Sequence, residues 1–286
     1  MRLRSEVGVE VIATGDEILF GRIVDTNSSW IARRAAEVGA RLRRVTSVGD
    51  DIDEIARALR EALSRGNGFV ILTGGLGPSD DDVTIDAIGR AVGRAVELRP
   101  EAVETLRRKC TELGVEMTPR RERMARLLEG SEPIPNPVGM STGMALREGA
   151  TTVVALPGIP EEMTAMFDGY VAPMIEGKAS SRYLGTTVGV RIVWNEFFPM
   201  YNSLLRDFAD VYLKNAATPP LMAEERERVH EIDVDIVVQA PTRAECERKM
   251  EAFLGELRSR AVARGGELIM KPGCPSSLDR STSPAG

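Results

Sequence analysis

"GFVILTGGLGPSDDDVT", residues 68–84, carries the strand-to-loop junction on which the fold reading turns. Its first part is a short, unbroken apolar run, and that pattern suits a central parallel strand covered by helices on both faces. The run ends at Thr73-Gly74-Gly75, where glycines permit positive φ and bring backbone N–H groups close to a ligand. Three consecutive carboxylates follow, Asp80, Asp81 and Asp82, and then Ile85, Ile88, Ala91 and Val92 repeat with helical spacing. A loop suited to phosphate thus runs straight into groups that repel phosphate.

Outward from this junction, strand and helix signals alternate. "VGVEVIAT" (7–14) reads as a strand, and residues 26–38 as a helix capped by Thr26 or Asn27 and stopped at Gly39. Residues 40–48 form a second strand, and Asp50-Asp51 opens a helix with Ile52, Ile55, Ala56, Leu59 and Leu63 on one face. Pro100 starts another helix, residues 119–130 read as a basic helical piece, 143–158 as a hairpin and 160–175 as a closing helix. The alternation predicts a three-layer α/β/α sandwich with a mostly parallel sheet over residues 1–178. Residues 176–185 read as a linker to a small α+β domain over 186–270, with a helix interrupted by Pro199 and a long helix from Thr242 to about Arg264. Residues 271–286, rich in Pro, Ser and Gly, read as a flexible tail.

Composition narrows the function. The 286 residues carry a net charge of −6, which argues against nucleic acid or an anionic membrane as partner. The three cysteines, Cys110, Cys246 and Cys274, are far apart, so neither a disulfide framework nor a zinc site is expected. The opening residues lack the apolar core of a signal peptide, and no apolar run is long enough to cross a bilayer. A cytoplasmic protein is expected. The single histidine, His230, lies in an alternating strand-like run, which speaks against a Ser-His-Asp triad or a multi-histidine metal centre.

Chemistry therefore rests on carboxylates, hydroxyls and backbone amides. Ligands of open parallel sheets bind beyond the carboxyl ends of strands. Three such ends carry acids or glycines: Thr14-Gly15-Asp16-Glu17, Asp50, and Thr73 through Asp82. No Gly-Lys-Ser/Thr follows the glycines, so the loop is not a Walker A sequence. Helix capping by the acidic triplet is the plain alternative, but three adjacent acids exceed what a cap needs. A divalent cation such as magnesium, held by one or two carboxylates and by substrate phosphates, resolves the conflict. Two further Gly-rich stretches, 136–144 and 155–163, add polar groups. Arg120, Arg121 and Arg123 read as a solvated helix face, and Trp30 and the methionines of 163–174 as core or subunit contacts.

The order T-G-D-E-I-L-x-G, V-G-D-D, T-G-G-L-G-P-x-x-D-D-x-T, N-P-x-G-x-x-x-G and A-L-P-G-I-P-x-E-M resembles the molybdenum-cofactor-biosynthesis (molybdopterin-binding) domain superfamily. Within it, residues 7–175 are most similar to the amino-terminal domain of the CinA family. No counterpart of the amidase domain found in many bacterial members is expected in this chain. Leu76 stands where adenylyltransferase-type members commonly carry Thr, and "GMSTG" replaces a Thr-Ala-Pro-Gly run common in CinA-like chains.

The resemblance implies metal-dependent hydrolysis of ADP-ribose or a related diphosphate, with Asp50 and Asp82 as catalytic residues and Asp81 and Asp82 holding magnesium or cobalt. Substrate contacts fall on Thr14, Gly15, Asp16, Glu17, Asn27, Thr73, Gly74, Gly75, Gly77, Ser141, Thr142, Gly143, Pro157 and Gly158. A molybdopterin-binding or adenylyl-transferring protein, with molybdopterin as ligand, is one alternative. A nucleotide-binding module without catalysis is the other. The partner expected is a phosphate-bearing small molecule, in a homo-oligomer.

Overall fold

A computed structural model of the chain describes residues 7–218, 220 and 222–271. The expected tail lies outside these residues except for Lys271, as does Cys274. The chain divides into two compact units, Met1–Ser180 and Ser181–Gly286.

The first unit begins with strand β1 (Val7–Thr14), a short helix α1 (Asp16–Leu19), α2 (Thr26–Glu37), β2 (Ala40–Val48), α3 (Ile52–Ser64) and β3 (Phe69–Thr73). There follow α4 (Thr84–Val92), β4 (Val96–Leu98), α5 (Pro100–Glu112), α6 (Pro119–Glu122), β5 (Arg126–Leu128) and β6 (Glu132–Ile134). Strands β7 (Gly143–Glu148) and β8 (Thr151–Leu156) lead to α7 (Pro160–Met166), a π-turn over Phe167–Val171 and α8 (Ala172–Glu176). The sheet runs β2-β1-β3-β8-β7-β6. Its first four strands are parallel, and β8-β7-β6 are antiparallel neighbours.

Helices cover both faces, so the fold is the three-layer, mostly parallel sandwich. On one face Ile31 and Ala35 of α2 pack with Met163, Met166, Phe167 and Ile175 against Val9, Val11, Phe69 and Ile71. On the other, Ile55 and Leu59 of α3, Ile88 of α4 and Leu106 of α5 pack against Ile12, Val70 and Leu72. Every residue of β3 is buried, which is why its run shows no polar alternation. From β1 the chain goes to β2 on one side and then to β3 on the other. The strand order thus reverses beside β1, and such a switch point opens a crevice at the strands' carboxyl ends.

Three local expectations are corrected. Helix α2 is capped by Asp25, whose carboxylate accepts from the Ser28 amide at 2.9 Å, so Thr26 and Asn27 already lie inside it. Residues 126–128, read as helical, form β5, because pairing with β4 buries Leu127 and Leu128. The acidic triplet precedes α4, whose N-terminus takes no side-chain cap, so the plain alternative of helix capping does not hold. Asp82 closes its own turn by accepting from the Ser79 amide at 2.7 Å.

In the second unit, β9 (Arg182–Val193), α9 (Trp194–Asp207), β10 (Tyr212–Asn215), β11 (Val229–Ala240), α10 (Arg243–Val262) and β12 (Glu267–Met270) build an antiparallel sheet ordered β10-β11-β9-β12. Strand β9 starts inside the stretch read as linker. Helix α9 continues through Pro199, held by the buried stripe Phe197, Met200, Tyr201 and Leu204. His230 sits at the start of β11, its ring against Trp194 and Nε2 2.7 Å from the Glu225 carbonyl oxygen, as a strand-end histidine.

Helix α10 opens with a capping box: the Thr242 hydroxyl accepts from the Glu245 amide, and the Glu245 carboxylate accepts from the Thr242 amide. Thr242→Ala is expected to cost about 1 kcal/mol in a urea melt. No loss would mean that the reciprocal bonds do not form in solution.

Candidate functional site

A cleft of about 560 Å³ opens at the switch point, beyond the carboxyl ends of β1 and β3. The Gly-rich loop after β3 makes its floor. Gly74 (φ +107°) and Gly75 (φ +64°) take conformations that favour glycine, and the chain must turn there within van der Waals reach of its neighbours. The Gly74 amide donates to the Leu156 carbonyl at 3.1 Å, while its own carbonyl accepts from the Thr84 hydroxyl at 2.8 Å. Thr14 donates to the Thr73 carbonyl at 3.2 Å and meets the Thr84 hydroxyl at 3.2 Å. These buried hydroxyls clamp β1, β3 and α4 around the turn.

The next three amides, of Gly75, Leu76 and Gly77, form no hydrogen bond among the described residues. Three consecutive N–H groups without a partner in a glycine turn are the groups that an anion-binding nest uses. A Cβ at Gly77 would lie 2.6 Å from Asp82 Oδ2, so the missing side chain lets the Asp82 carboxylate fold over the loop.

The walls are acidic. Glu17, Asp25, Asp50, Asp81, Asp82 and Glu162 all line the cleft, and no lysine, arginine or histidine does among the described residues. Asp50 is tied to Asp16: the Asp16 amide donates to Asp50 Oδ2 at 3.1 Å, and the Asp50 amide donates to Asp16 Oδ1 at 3.4 Å. Burial pushes the Asp50 carboxyl up from its ordinary value. The Asp16 hydrogen bond pulls it down, and the like charges of Asp16, Glu17 and Asp81 push it up further.

Asp80 faces away from this wall and pairs with Arg123 at 2.9 Å, while Arg120 donates to the Pro78 carbonyl at 3.0 Å. Two of the three arginines read as a solvated face thus hold the loop from behind. Trp30 packs edge-on against Phe167, as a core aromatic does.

Of the residues singled out from the sequence, Thr14, Gly15, Glu17, Asn27, Asp50, Thr73, Gly74, Gly75, Gly77, Asp81, Asp82, Ser141, Pro157 and Gly158 line this cleft. Asp16 does not, and acts on it through Asp50. Thr142 lies in a small hollow on the far side of the loop, beside Arg123 and Arg126. Gly143 belongs to the sheet: a Cβ there would lie 2.6 Å from the Ala155 carbonyl oxygen and from Met166.

The sequence reading passed over an apolar lip of Ile18, Ile23, Val24 and Ile159. Three of these, Ile23, Val24 and Ile159, are more than half exposed, a property that shows only in the folded chain. It also passed over Glu162 and the Asn27 geometry. Asn27 donates to the Gly158 carbonyl at 2.8 Å, whereas its Oδ1 and the Ser28 hydroxyl are buried without partners among the described residues.

The donor set suits a hard divalent cation, because carboxylate oxygens are what such ions take. Among the described residues no group of three or more His, Cys, Asp or Glu side chains is arranged as a metal site by itself. Asp81 and the oxygen of Asp82 that Ser79 leaves free could supply two ligands, with phosphate oxygens and water completing the shell.

The family model described as "Probable molybdopterin binding domain" matches residues 10–177. The chain belongs to the molybdopterin-binding domain family. Within the family it is CinA-like. A "CinA-like protein" of Anaeromyxobacter sp. is 38% identical over 170 residues, covering 59% of this chain and 41% of the relative. The crystal structure of the protein CinA, of unknown function, from Thermoplasma acidophilum matches with a TM-score of 0.55 and 34% identity, over 59% of this chain and 99% of that one. The similarity also runs past the matched domain: a protein of Sulfurisphaera tokodaii is 34% identical over 260 residues, 91% of this chain and 97% of its own length. No described helix is long and apolar enough to cross a membrane.

Proposed function

We propose that the cleft hydrolyses the diphosphate bond of a nucleoside diphosphate sugar of the ADP-ribose type. The observation that carries the reading is the pairing of a free amide nest with carboxylate walls that no basic side chain relieves. The nest of Gly75–Gly77 holds a phosphate. A divalent cation on Asp81 and Asp82 would neutralise charge and polarise a phosphoryl oxygen. Asp50 orients a water and takes its proton as the water oxygen bonds to phosphorus. The bridging P–O bond breaks, and AMP and ribose 5-phosphate leave. A raised carboxyl pKa brings Asp50 closer to the range in which a general base works.

The purified protein is expected to convert ADP-ribose to AMP and ribose 5-phosphate with magnesium or cobalt, and to lose that activity in EDTA. Metal-independent turnover would remove the cation from the reading. A second reading, binding of a pterin pyrophosphate, is favoured by the family's own ligand and by the apolar lip, against which a flat ring fits. A fluorescent pterin co-purifying with protein that leaves ADP-ribose intact would put it first. An absence of both would leave a nucleotide-binding module without catalysis.

A further inference from the structure

Glu162 has no part in the phosphate chemistry just described, yet it is one of the most carefully held side chains of the cleft. It lies in the first turn of α7 and lines the cleft while being 92% buried, at 8% exposure. The Asn136 side-chain amide donates to its Oε2 at 2.5 Å. Asn136 Oδ1 in turn accepts from the amides of Val138 and Gly139 at 3.0 and 2.8 Å. Lys109 grips the carbonyls of Asn136 and Gly139, and burial holds its pKa below the ordinary value against the upward pull of the nearby Glu162 charge. A Cβ at Gly139 would collide with the Glu162 carboxylate, so the loop runs without a side chain where it passes the acid.

The hydrogen bond engages one oxygen only, while the Gly139 backbone passes both. Oε1 has no hydrogen-bond partner among the described residues, and it is not sealed away in the manner of Asn27 Oδ1. A carboxylate oxygen accepts only, and leaving one largely desolvated is costly unless a donor arrives.

We propose that Glu162 is a specificity residue: its free oxygen accepts hydrogen bonds from donor groups on the non-phosphate part of the ligand. Such donors are sugar hydroxyls or a base amine. A carboxylate accepting from the ribose hydroxyls of a nucleotide is a recurrent solution on sheets of this kind. With the anion nest made by Gly75–Gly77, the cleft has one end for phosphate and one for neutral donors. The inference rests on the reading of the cleft as a diphosphate site, and the test separates the two.

Affinities of ADP-ribose, as its non-hydrolysable α,β-methylene analogue, and of inorganic pyrophosphate, each with magnesium, are measured by calorimetry on the native chain and on Glu162→Gln, which keeps the size and a bond to Asn136. ADP-ribose is expected to lose about tenfold, the order of one charge-assisted hydrogen bond, and pyrophosphate to bind as well or better, since one like charge of the walls is gone. Equal losses for both ligands, or no loss for either, would overturn the proposal. If native protein binds neither, the diphosphate reading fails and takes the proposal with it. Retained pyrophosphate binding also reports that the variant is folded. Ribose 5-phosphate, AMP and 2′,3′-dideoxy-AMP as competitors assign the donor. A weakening of the first alone points to the terminal ribose hydroxyls, of AMP but not its dideoxy form to the nucleoside ribose hydroxyls, of both AMP forms to the base amine, and of none to no role for Glu162.

Discussion

Asp50→Asn is expected to lower ADP-ribose cleavage by about 10²–10⁴-fold, the usual contribution of a general base, with the nucleotide still bound. The substitution keeps the shape of the side chain and an oxygen for the Asp16 amide, so the strand ends stay in place. What it removes is the proton acceptor. It also removes one of several like charges, since Asp16, Glu17 and Asp81 all push the Asp50 carboxyl up. Affinity for the anionic substrate is therefore expected to hold or improve while turnover falls. Single-turnover rates, with calorimetric binding of the non-hydrolysable α,β-methylene analogue of ADP-ribose on the same preparations, check both halves. A loss of binding in proportion to rate would instead make Asp50 a ligand-holding residue. A wild-type rate would leave Glu17 or Asp81 as the acceptor.

Much of the first unit was legible because its signals are local. The apolar run of β3, the glycines after it and the helical spacing beyond Asp82 each depend on neighbouring residues alone, and each placed its element. The end of β3 also located the cleft, since parallel strands present their carboxyl ends together. Legibility stopped where one residue answers to another far away. Asp25 was passed over as a cap because Thr26 and Asn27 are equally good caps by type, and the choice among three adjacent candidates depends on where the chain arrives. The strand character of Arg126–Leu128 exists only because Val96–Leu98 lies alongside. Asp80, Asp81 and Asp82 look alike in sequence, yet Arg123 draws the first outward, the second faces the cleft, and the third folds over Gly77. Glu162 depends on Asn136 and, through it, on Lys109, residues separated by tens of positions.

The stability counterpart of the site is Gly74. Gly74→Ala is expected to cost about 2–6 kcal/mol, combining backbone strain at φ +107° of about 1–3 kcal/mol with overpacking of about 1–3 kcal/mol. The added Cβ would lie 2.5 Å from the Thr14 carbonyl oxygen and 2.7 Å from the Thr14 hydroxyl oxygen. Backbone cannot swing aside as a long side chain does. Nor can Gly74 retreat, because its amide is bound to Leu156 and its carbonyl to Thr84, and Gly158 closes the remaining side. Any shift that relieved the contact would pull the amides of Gly75, Leu76 and Gly77 out of register, so phosphate affinity should fall along with Tm. For a domain of this size the loss corresponds to a Tm lower by roughly 10 °C. Gly21→Ala supplies the control: φ there is +66°, but nothing lies within 4 Å of the added carbon, so only about 1 kcal/mol of left-handed strain is expected. Equal melting shifts for the two variants would mean that φ alone governs both sites. The crowding of three strand ends around Gly74 would then not be what shapes the nest.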